Sequence, residues 1–284
     1  MKEKTLILLF SFSALIINAQ NKKKDSISYW KKEGNVSFIF NQSSFNNWST
    51  GGANVITGNL SFNCDFNYTK ENWIWDNKII ASYGLTKVKG SEVQKTDDRL
   101  EVISVLAKKG NGYWYYSLLF NFRAQMNSTE DDSGIELSDL LSPSYFYFGP
   151  GVLWKKNDKL KVNISPINSK LILVKPKFTN NLPPNTSYFG VQSGETSRYE
   201  MGIAINGYFK IEIIKNIIIE NIINIYSNYL DKPKNIDFDF TANFTMVFNK
   251  YISTNLTFQT VYDDNVYKGF QTRQLFGLGV NYTF

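Results

Sequence analysis

Ile56-Thr57-Gly58-Asn59-Leu60-Ser61-Phe62-Asn63-Cys64-Asp65-Phe66-Asn67-Tyr68 is the stretch whose reading decides the fold. Ile56, Leu60, Phe62, Cys64, Phe66 and Tyr68 alternate with Thr57, Asn59, Ser61, Asn63, Asp65 and Asn67. Successive side chains of a strand point to opposite faces, so this segment has one apolar and one polar face. Wound as a helix, it would carry no apolar stripe. It is also longer than the usual globular strand of about five or six residues. A tilted strand needs about nine to eleven residues to cross a bilayer.

Followed outward, the alternation marks segments at 34–43, 54–69, 73–86, 97–108, 113–126, 144–155, 159–175, 195–212, 217–230, 236–248, 251–262 and 272–284. Tight turns at Lys70-Glu71-Asn72, Gly110-Asn111, Asn157-Asp158, Lys215-Asn216 and Asn249-Lys250 join alternate pairs. Longer connections join most of the others: Ser44 to Ala53, Lys87 to Thr96, Asn127 to Pro143 and Pro176 to Gly194. Residues 231–235 depart from this order, being short where a long loop is due. Tight turns on one side and longer loops on the other are the asymmetry of outer-membrane barrels, whereas a soluble sandwich has no reason to sort its connections. The expected fold is therefore all-β, a transmembrane antiparallel β-barrel of about 12 strands. Both termini are expected on the periplasmic side, which requires an even strand number.

Composition agrees. Aromatics make up 16% of the 284 residues, yet mean hydropathy is −0.28, as expected when strands face lipid on one side and water on the other. The net charge of +6 is spread along the chain apart from Lys22-Lys23-Lys24. The gathered basic patch that nucleic acid requires is missing, so no nucleic-acid partner is expected. Residues 1–19 carry a basic start, an apolar run from Thr5 to Ile17 and Asn18-Ala19, the pattern of a secretory signal peptide cleaved after Ala19. Residues 20–32 then read as a short periplasmic segment and 33–284 as the barrel. The most apolar later stretch, Ile211 to Ile225, is interrupted by Lys215, Asn216, Glu220, Asn221 and Asn224. A membrane location thus requires a closed sheet.

The last segment alternates Gln274, Phe276, Leu278, Val280, Tyr282 and Phe284 with Leu275, Gly277, Gly279, Asn281 and Thr283. Such a strand ending in an aromatic resembles the signal read by the barrel assembly machinery. The expected partners are outer-membrane lipid and, during insertion, that machinery acting on Phe284. The sequence identifies no surface partner.

With the apolar parity toward lipid, Trp73, Trp75, Trp114, Tyr116, Trp154, Tyr199, Tyr229 and Tyr262 fall near strand ends as interfacial girdles. Cys64 shares that face. The opposite parity carries the lumen-lining candidates Asp65, Asp76, Lys78, Arg99, Glu101, Arg123, Arg198, Glu200, Glu220, Asp237 and Asp239. In a narrow interior such charges must pair or meet water. They form either a salt-bridged plug or a charged constriction that selects solutes. The outer loop Asn127–Leu141 is acidic through Glu130, Asp131, Asp132, Glu136 and Asp139, but lacks calcium-loop oxygen spacing. The loop 176–194 is extended by Pro176, Pro183 and Pro184, and either folds inward or meets a partner.

The chain has no histidine and a single cysteine. This removes Ser-His-Asp and Cys-His catalysis and the usual zinc cages. The adjacent acids Asp97-Asp98, Asp131-Asp132 and Asp263-Asp264 sit at strand borders, and neighbours on a strand point apart. Ser49-Thr50-Gly51-Gly52 reads as a turn rather than a phosphate cradle. No catalytic residue, metal or cofactor is expected, and the chain reads as non-enzymatic.

Trp30-Lys31-Lys32-Glu33-Gly34-Asn35, Asn47-Trp48-Ser49-Thr50-Gly51-Gly52, Tyr83-Gly84-Leu85-Thr86, Lys95-Thr96-Asp97-Asp98, Trp114-Tyr115-Tyr116, Ser227-Asn228-Tyr229-Leu230 and Tyr262-Asp263-Asp264 together resemble a Bacteroidota-type domain-of-unknown-function family of exported barrel proteins. The resemblance runs over nearly all of the chain after the signal peptide. It implies location and fold but no activity. One departure is the last outer loop, Asn265 to Thr272, which is shorter than the acidic, Gly-rich loop associated with that family. Three roles stay open at this point: a narrow channel or transporter for small solutes, a plugged structural or surface-interaction barrel, and a secreted soluble β-protein.

Overall fold

The computed structural model describes residues 28–45, 53–131 and 133–284. The expected signal peptide, residues 20–27 of the expected periplasmic segment, the Asn47–Gly52 motif and Asp132 lie outside the described residues. Among the described residues sixteen strands follow in chain order: β1 (Trp30–Ser43), β2 (Val55–Lys70), β3 (Trp73–Val88), β4 (Val93–Lys109), β5 (Trp114–Ala124), β6 (Thr129–Glu130), β7 (Glu136–Ser138), β8 (Ser144–Asn157), β9 (Leu160–Leu173), β10 (Ser187–Tyr188), β11 (Val191–Gln192), β12 (Ser197–Ile214), β13 (Ile217–Asn228), β14 (Ile236–Val247), β15 (Ile252–Asp263) and β16 (Tyr267–Thr283). Twelve of them form one closed antiparallel barrel, each beside its neighbour in the chain, with β1 returning to β16. The pairs β6–β7 and β10–β11 are short ladders inside two long loops.

The barrel closes from Asn35 opposite Thr283 to Phe40 opposite Leu278. Gly34 and Phe284 extend this seam by exchanging backbone hydrogen bonds of 2.8 and 2.9 Å. The Phe284 ring lies over Gly34, where a Cβ would come within 2.2 Å of it. That ring also stacks near Phe62 and Tyr282, at 6.5 and 6.1 Å between centroids. Glycine is needed here for close approach, and the aromatic covers the backbone that glycine leaves bare.

The strands outrun their apolar signal at three places. β1 begins at Trp30, inside the segment expected to be periplasmic; β3 and β4 extend until only residues 89–92 join them; and β16 begins at Tyr267. Backbone pairing needs no apolar side chain, so Thr86 pairs with Gln94 and Lys87 with Val93 where alternation has faded. The connection expected to be long at Lys87–Thr96 is therefore a tight hairpin.

Outside, the wall is apolar. Phe38, Leu60, Leu118, Phe148, Phe276 and Leu278 are all exposed, and Phe38 has Leu60 on one side and Val280 on the other. A soluble monomer rarely exposes a contiguous apolar patch beyond a few hundred Å². Aromatics gather at the short-turn rim, where Trp30 lies 5.7 Å from Trp75 and 5.2 Å from Tyr68 between ring centroids. The Trp75 indole N–H donates to Ser104 Oγ at 2.8 Å. Toward the other rim, the hydroxyl of Tyr229 donates to Pro166 O at 3.0 Å. Inside, Ile74, Val105, Ala107, Leu119 and Leu153 form a buried apolar patch; the rest of the inner face is largely polar.

Candidate functional site

Each inward-facing charge was placed by strand parity, and low local dielectric then forces it to find a partner. Nearest the short-turn rim, buried Asp76 accepts from Lys155 Nζ at 2.8 Å and Lys161 Nζ at 2.9 Å. Beside it, Lys78 Nζ stands 3.2 Å from Asp65 and 3.5 Å from Glu220. Tyr208 Oη donates to Glu220 at 2.7 Å, and its ring lies under Lys78 Nζ at 5.3 Å.

The Lys78–Glu220 pair bounds the shape of the barrel. β3 and β13 occupy opposite positions in the closed strand order. Extended lysine and glutamate side chains reach roughly 6 and 5 Å from Cα, so the two walls stand within about 15 Å of each other there. A circular barrel of this strand number would hold them at roughly 24 Å. The section is therefore flattened along the β3–β13 direction.

A second tier crosses the middle. Arg99 Nε donates to Glu101 Oε2 at 2.9 Å, with a further bond from Arg99 Nη2, and Asn121 Nδ2 donates to Glu101 Oε1 at 2.9 Å. Arg123 pairs with Asp239, whose other oxygen accepts from Gln259 Nε2 at 2.8 Å. Arg273 Nε donates to Gln259 Oε1 at 2.8 Å, and Arg273 Nη1 pairs with Asp97. Asn59 Nδ2 completes the chain on Asp97 at 2.9 Å. Toward the long-loop mouth, Lys170 Nζ reaches Asp237 at 2.9 Å and Glu200 at 3.3 Å. There Arg198 binds Glu200 at 2.7 Å and Asp231 at 3.1 Å.

All eleven lumen candidates read from the sequence lie on this inner face, Arg198 at the mouth. Sequence parity missed Asp97, Lys155, Lys161, Lys170, Asp263 and Arg273. A signal existed: acids outnumber bases among the candidates, and the buried surplus required more cations. Lys155 and Lys161 were hidden beside a turn, and Asp97 at an apparent strand border.

Wetness varies even within the middle tier. Glu101 and Lys170 are each 1% exposed, whereas the side chains of Arg123 and Arg273 keep 35% and 32% of their surface. One cavity of about 90 Å³ is lined by Glu101, Arg123, Tyr226, Asp237, Asp239 and Asp263 among others. A second, of about 70 Å³, is lined by Lys78, Lys161, Tyr208 and the apolar Leu119 and Leu153. Leu119, Asn206 and Asn224 belong to both walls.

The long loops cover the mouth. Of the two courses open to the 176–194 loop, the structure shows the inward one: Val191 is fully buried against Ile172 and Val174, with Tyr145 and Tyr188 alongside. Arg198 Nη1 holds the loop tip by donating to Gly190 O at 3.1 Å. The acidic loop is engaged by its neighbour. Lys175 Nζ meets Asp139 at 2.5 Å, and Lys177 Nζ lies 2.7 Å from both Asp139 and Glu136. The Tyr188 hydroxyl donates to Leu137 O. Asp131 Oδ1 accepts from the amides of Ser133 and Ile135 at 2.9 and 2.8 Å. Hydrogen bonds from Lys175 and Lys177 hold the Asp139 carboxyl well below the usual carboxylate range, while burial pushes the Tyr188 phenol up to about 12.

A family model described as a protein of unknown function (DUF3078) matches residues 40–129. No curated protein matches the chain. Among solved structures, the chain is similar to the translocator domain of autotransporter NalP from Neisseria meningitidis. That match has 10% identity, 100% coverage of this chain and 98% of that one, and a TM-score of 0.37. An outer membrane channel from Pseudomonas putida F1 matches at 9% identity, 92% and 99% coverage, and a TM-score of 0.40. The outer membrane channel DcaP of Acinetobacter baumannii matches at 9% identity, 90% and 97% coverage, and a TM-score of 0.33.

Proposed function

We propose that this protein sits in the outer membrane as a narrow, non-catalytic passage for small polar or charged solutes, shut at rest by ion pairs across its lumen. Its short turns and termini face the periplasm in this reading, and Phe284 serves the assembly machinery during insertion. The apolar outer wall between aromatic rims supports the location, because only a closed sheet satisfies its backbone within hydrocarbon.

One observation carries the gating part: Lys78 meets Glu220 from opposite walls, 3.5 Å apart, beside Asp65 and Tyr208. A filling meant only to stiffen the barrel would be at least as stable if apolar. Here the charges persist, and Arg123 and Arg273 keep about a third of their side-chain surface uncovered. A charged constriction that parts and re-forms suits the transit of small solutes.

Planar-bilayer recording of the refolded protein tests this reading. Wild type is expected to show rare, small openings, and Lys78→Ala with Glu220→Ala steady conductance. If both are silent, the alternative stands: a plugged barrel whose lid and outer loops engage a surface partner. The inward seat of Val191 favours that alternative.

A further inference from the structure

Three carboxylates meet at the mouth without enough positive charge to hold them together. β15 ends at Asp263, and Asp264 lies in the turn beyond it, so the rule that strand neighbours point apart does not reach this pair. Tyr226 of β13 is opposite Asp237 of β14, and the next row, Phe238 with Tyr262, sets Asp263 beside Asp237. One oxygen from each of Asp237, Asp263 and Asp264 lies within 4.8 Å of the other two. Lys170 serves Asp237. Among the described residues no lysine or arginine forms an ion pair with Asp263 or Asp264. The Asp263 carboxylate accepts from the Asn265 amide at 3.0 Å, and that of Asp264 from the Asn235 side-chain amide at 2.6 Å.

A separate observation points to a ligand. Tyr226 is 4% exposed, and its hydroxyl has no hydrogen-bond partner. It lines the 90 Å³ cavity together with Asp237 and Asp263. Asn121 Oδ1 and Asn206 Oδ1, on the same cavity, are unpartnered too, because their amide nitrogens are committed to Glu101 and Asn224. The unpartnered buried atoms around this space are all oxygens, which is the lining a cation and its waters require.

We propose that Asp237, Asp263 and Asp264 bind a hard divalent cation of the calcium class, with waters from the adjoining cavity completing its shell beneath Tyr226. Calcium takes six to eight oxygens at about 2.3–2.6 Å, so oxygens of one shell lie up to roughly 5 Å apart, as these do. Magnesium, at about 2.0–2.1 Å, would draw them closer and keep its own waters. The site holds neither imidazole nor thiolate, which disfavours zinc. The bound ion would tie β14 to the β15–β16 turn. That turn lies under the lid tip, where a Cβ on Gly190 would stand 3.4 Å from Asn265. The inference goes beyond solute passage and does not depend on it.

The test is calorimetric titration of chelator-stripped, full-length protein in detergent micelles with calcium chloride, paired with terbium luminescence excited through tyrosine. Wild type is expected to show one saturable event with a Kd of about 0.1–1 mM, in the range of extracellular calcium modules, and calcium is expected to quench bound terbium. D263N/D264N is expected to weaken binding at least tenfold while keeping the gel-mobility shift on boiling that marks a folded barrel. D264N alone, in the turn, serves the same purpose should the double variant not fold. D131N, in the distant acidic loop, is expected to bind as wild type does. Absence of saturable binding in folded wild type, unchanged affinity in the D263N/D264N or D264N protein, or loss in D131N would each overturn the proposal.

Discussion

Replacing Glu101 by Gln removes one charge and almost no volume from the driest part of the lumen. Glu101 is 1% exposed and Arg99 7%. The carboxylate takes two bonds from Arg99 and one from Asn121, whose Nδ2 lies at 2.9 Å. A glutamine can keep one of these acceptors, but its NH₂ must then face either the Asn121 amide or the Arg99 guanidinium, donor against donor. Arg99 cannot shed its proton to escape. The nearby carboxylate of Asp239 is already engaged by Arg123 and Gln259. Stripping one partner from a buried pair costs about 3–5 kcal/mol. With a urea slope of about 3 kcal/mol/M, the unfolding midpoint should fall by roughly 1–1.7 M with the slope unchanged. Tryptophan fluorescence and gel mobility, followed through one urea series in micelles, would read this. Arg99→Met with Glu101→Leu should recover most of the loss, because apolar replacement of both partners is often neutral. A shift in E101Q below about 0.3 M, under 1 kcal/mol on that slope, would refute a dry interior and mean that water or another carboxylate reaches Arg99.

Acid should release the outer loops late. Asp139 is held below its usual range by Lys175 and Lys177. Its contribution is thus complete above the unfolded value of about 3.9 and lost only as pH falls through the lower folded value. Hydrogen-exchange protection factors in residues 125–143 and 174–196 should be the same at pH 5 as at pH 7; a lower factor already at pH 5 would show that these bridges do not form. At the seam, Gly34→Val places a side chain where the Phe284 ring lies and should cost about 1–3 kcal/mol. Phe284→Ala in the same chain should relieve part of it, and urea midpoints of both variants check this. On the outer wall, Leu60→Lys should cost about 2–4 kcal/mol in liposomes if the site lies near the bilayer midplane. An unchanged midpoint would argue against lipid contact there.

Most of the barrel was legible in the sequence because strand parity is a local property. Leu60, Phe62 and Cys64 against Ser61, Asn63 and Asp65 suffice to orient β2, and the tight turn at Lys70-Glu71-Asn72 sets β3 beside it. Strand ends were less legible, since Thr86–Val88 and Tyr267–Thr272 pair through backbone after the apolar period has stopped. The lumen was half legible. Parity sends Lys78 and Glu220 inward, but nothing local says that residues so distant in the chain meet, and the flattening follows from that meeting. The acid triad was hidden for the opposite reason: alternation holds Asp263 and Asp264 apart only while the strand lasts, and it ends between them. The inward fold of the lid depends on Val191 finding Ile172, a contact that three prolines do not encode.

The flattened section also fixes the direction of the internal electric field. Opposite charges meet across the lumen, Lys78 and Arg123 against Glu220 and Asp239 and, in the reverse sense, Asp97 against Arg273. The field they set up runs crosswise, so it does little net work on an ion moving along the axis but exerts a torque on a dipole. Such a duct should rectify weakly, discriminate little between cations and anions, and turn a zwitterion broadside to its path. Near-zero reversal potential across a salt gradient, recorded on the opened Lys78→Ala/Glu220→Ala protein, is the signature expected of it; a strongly ion-selective potential would show that the axial component dominates.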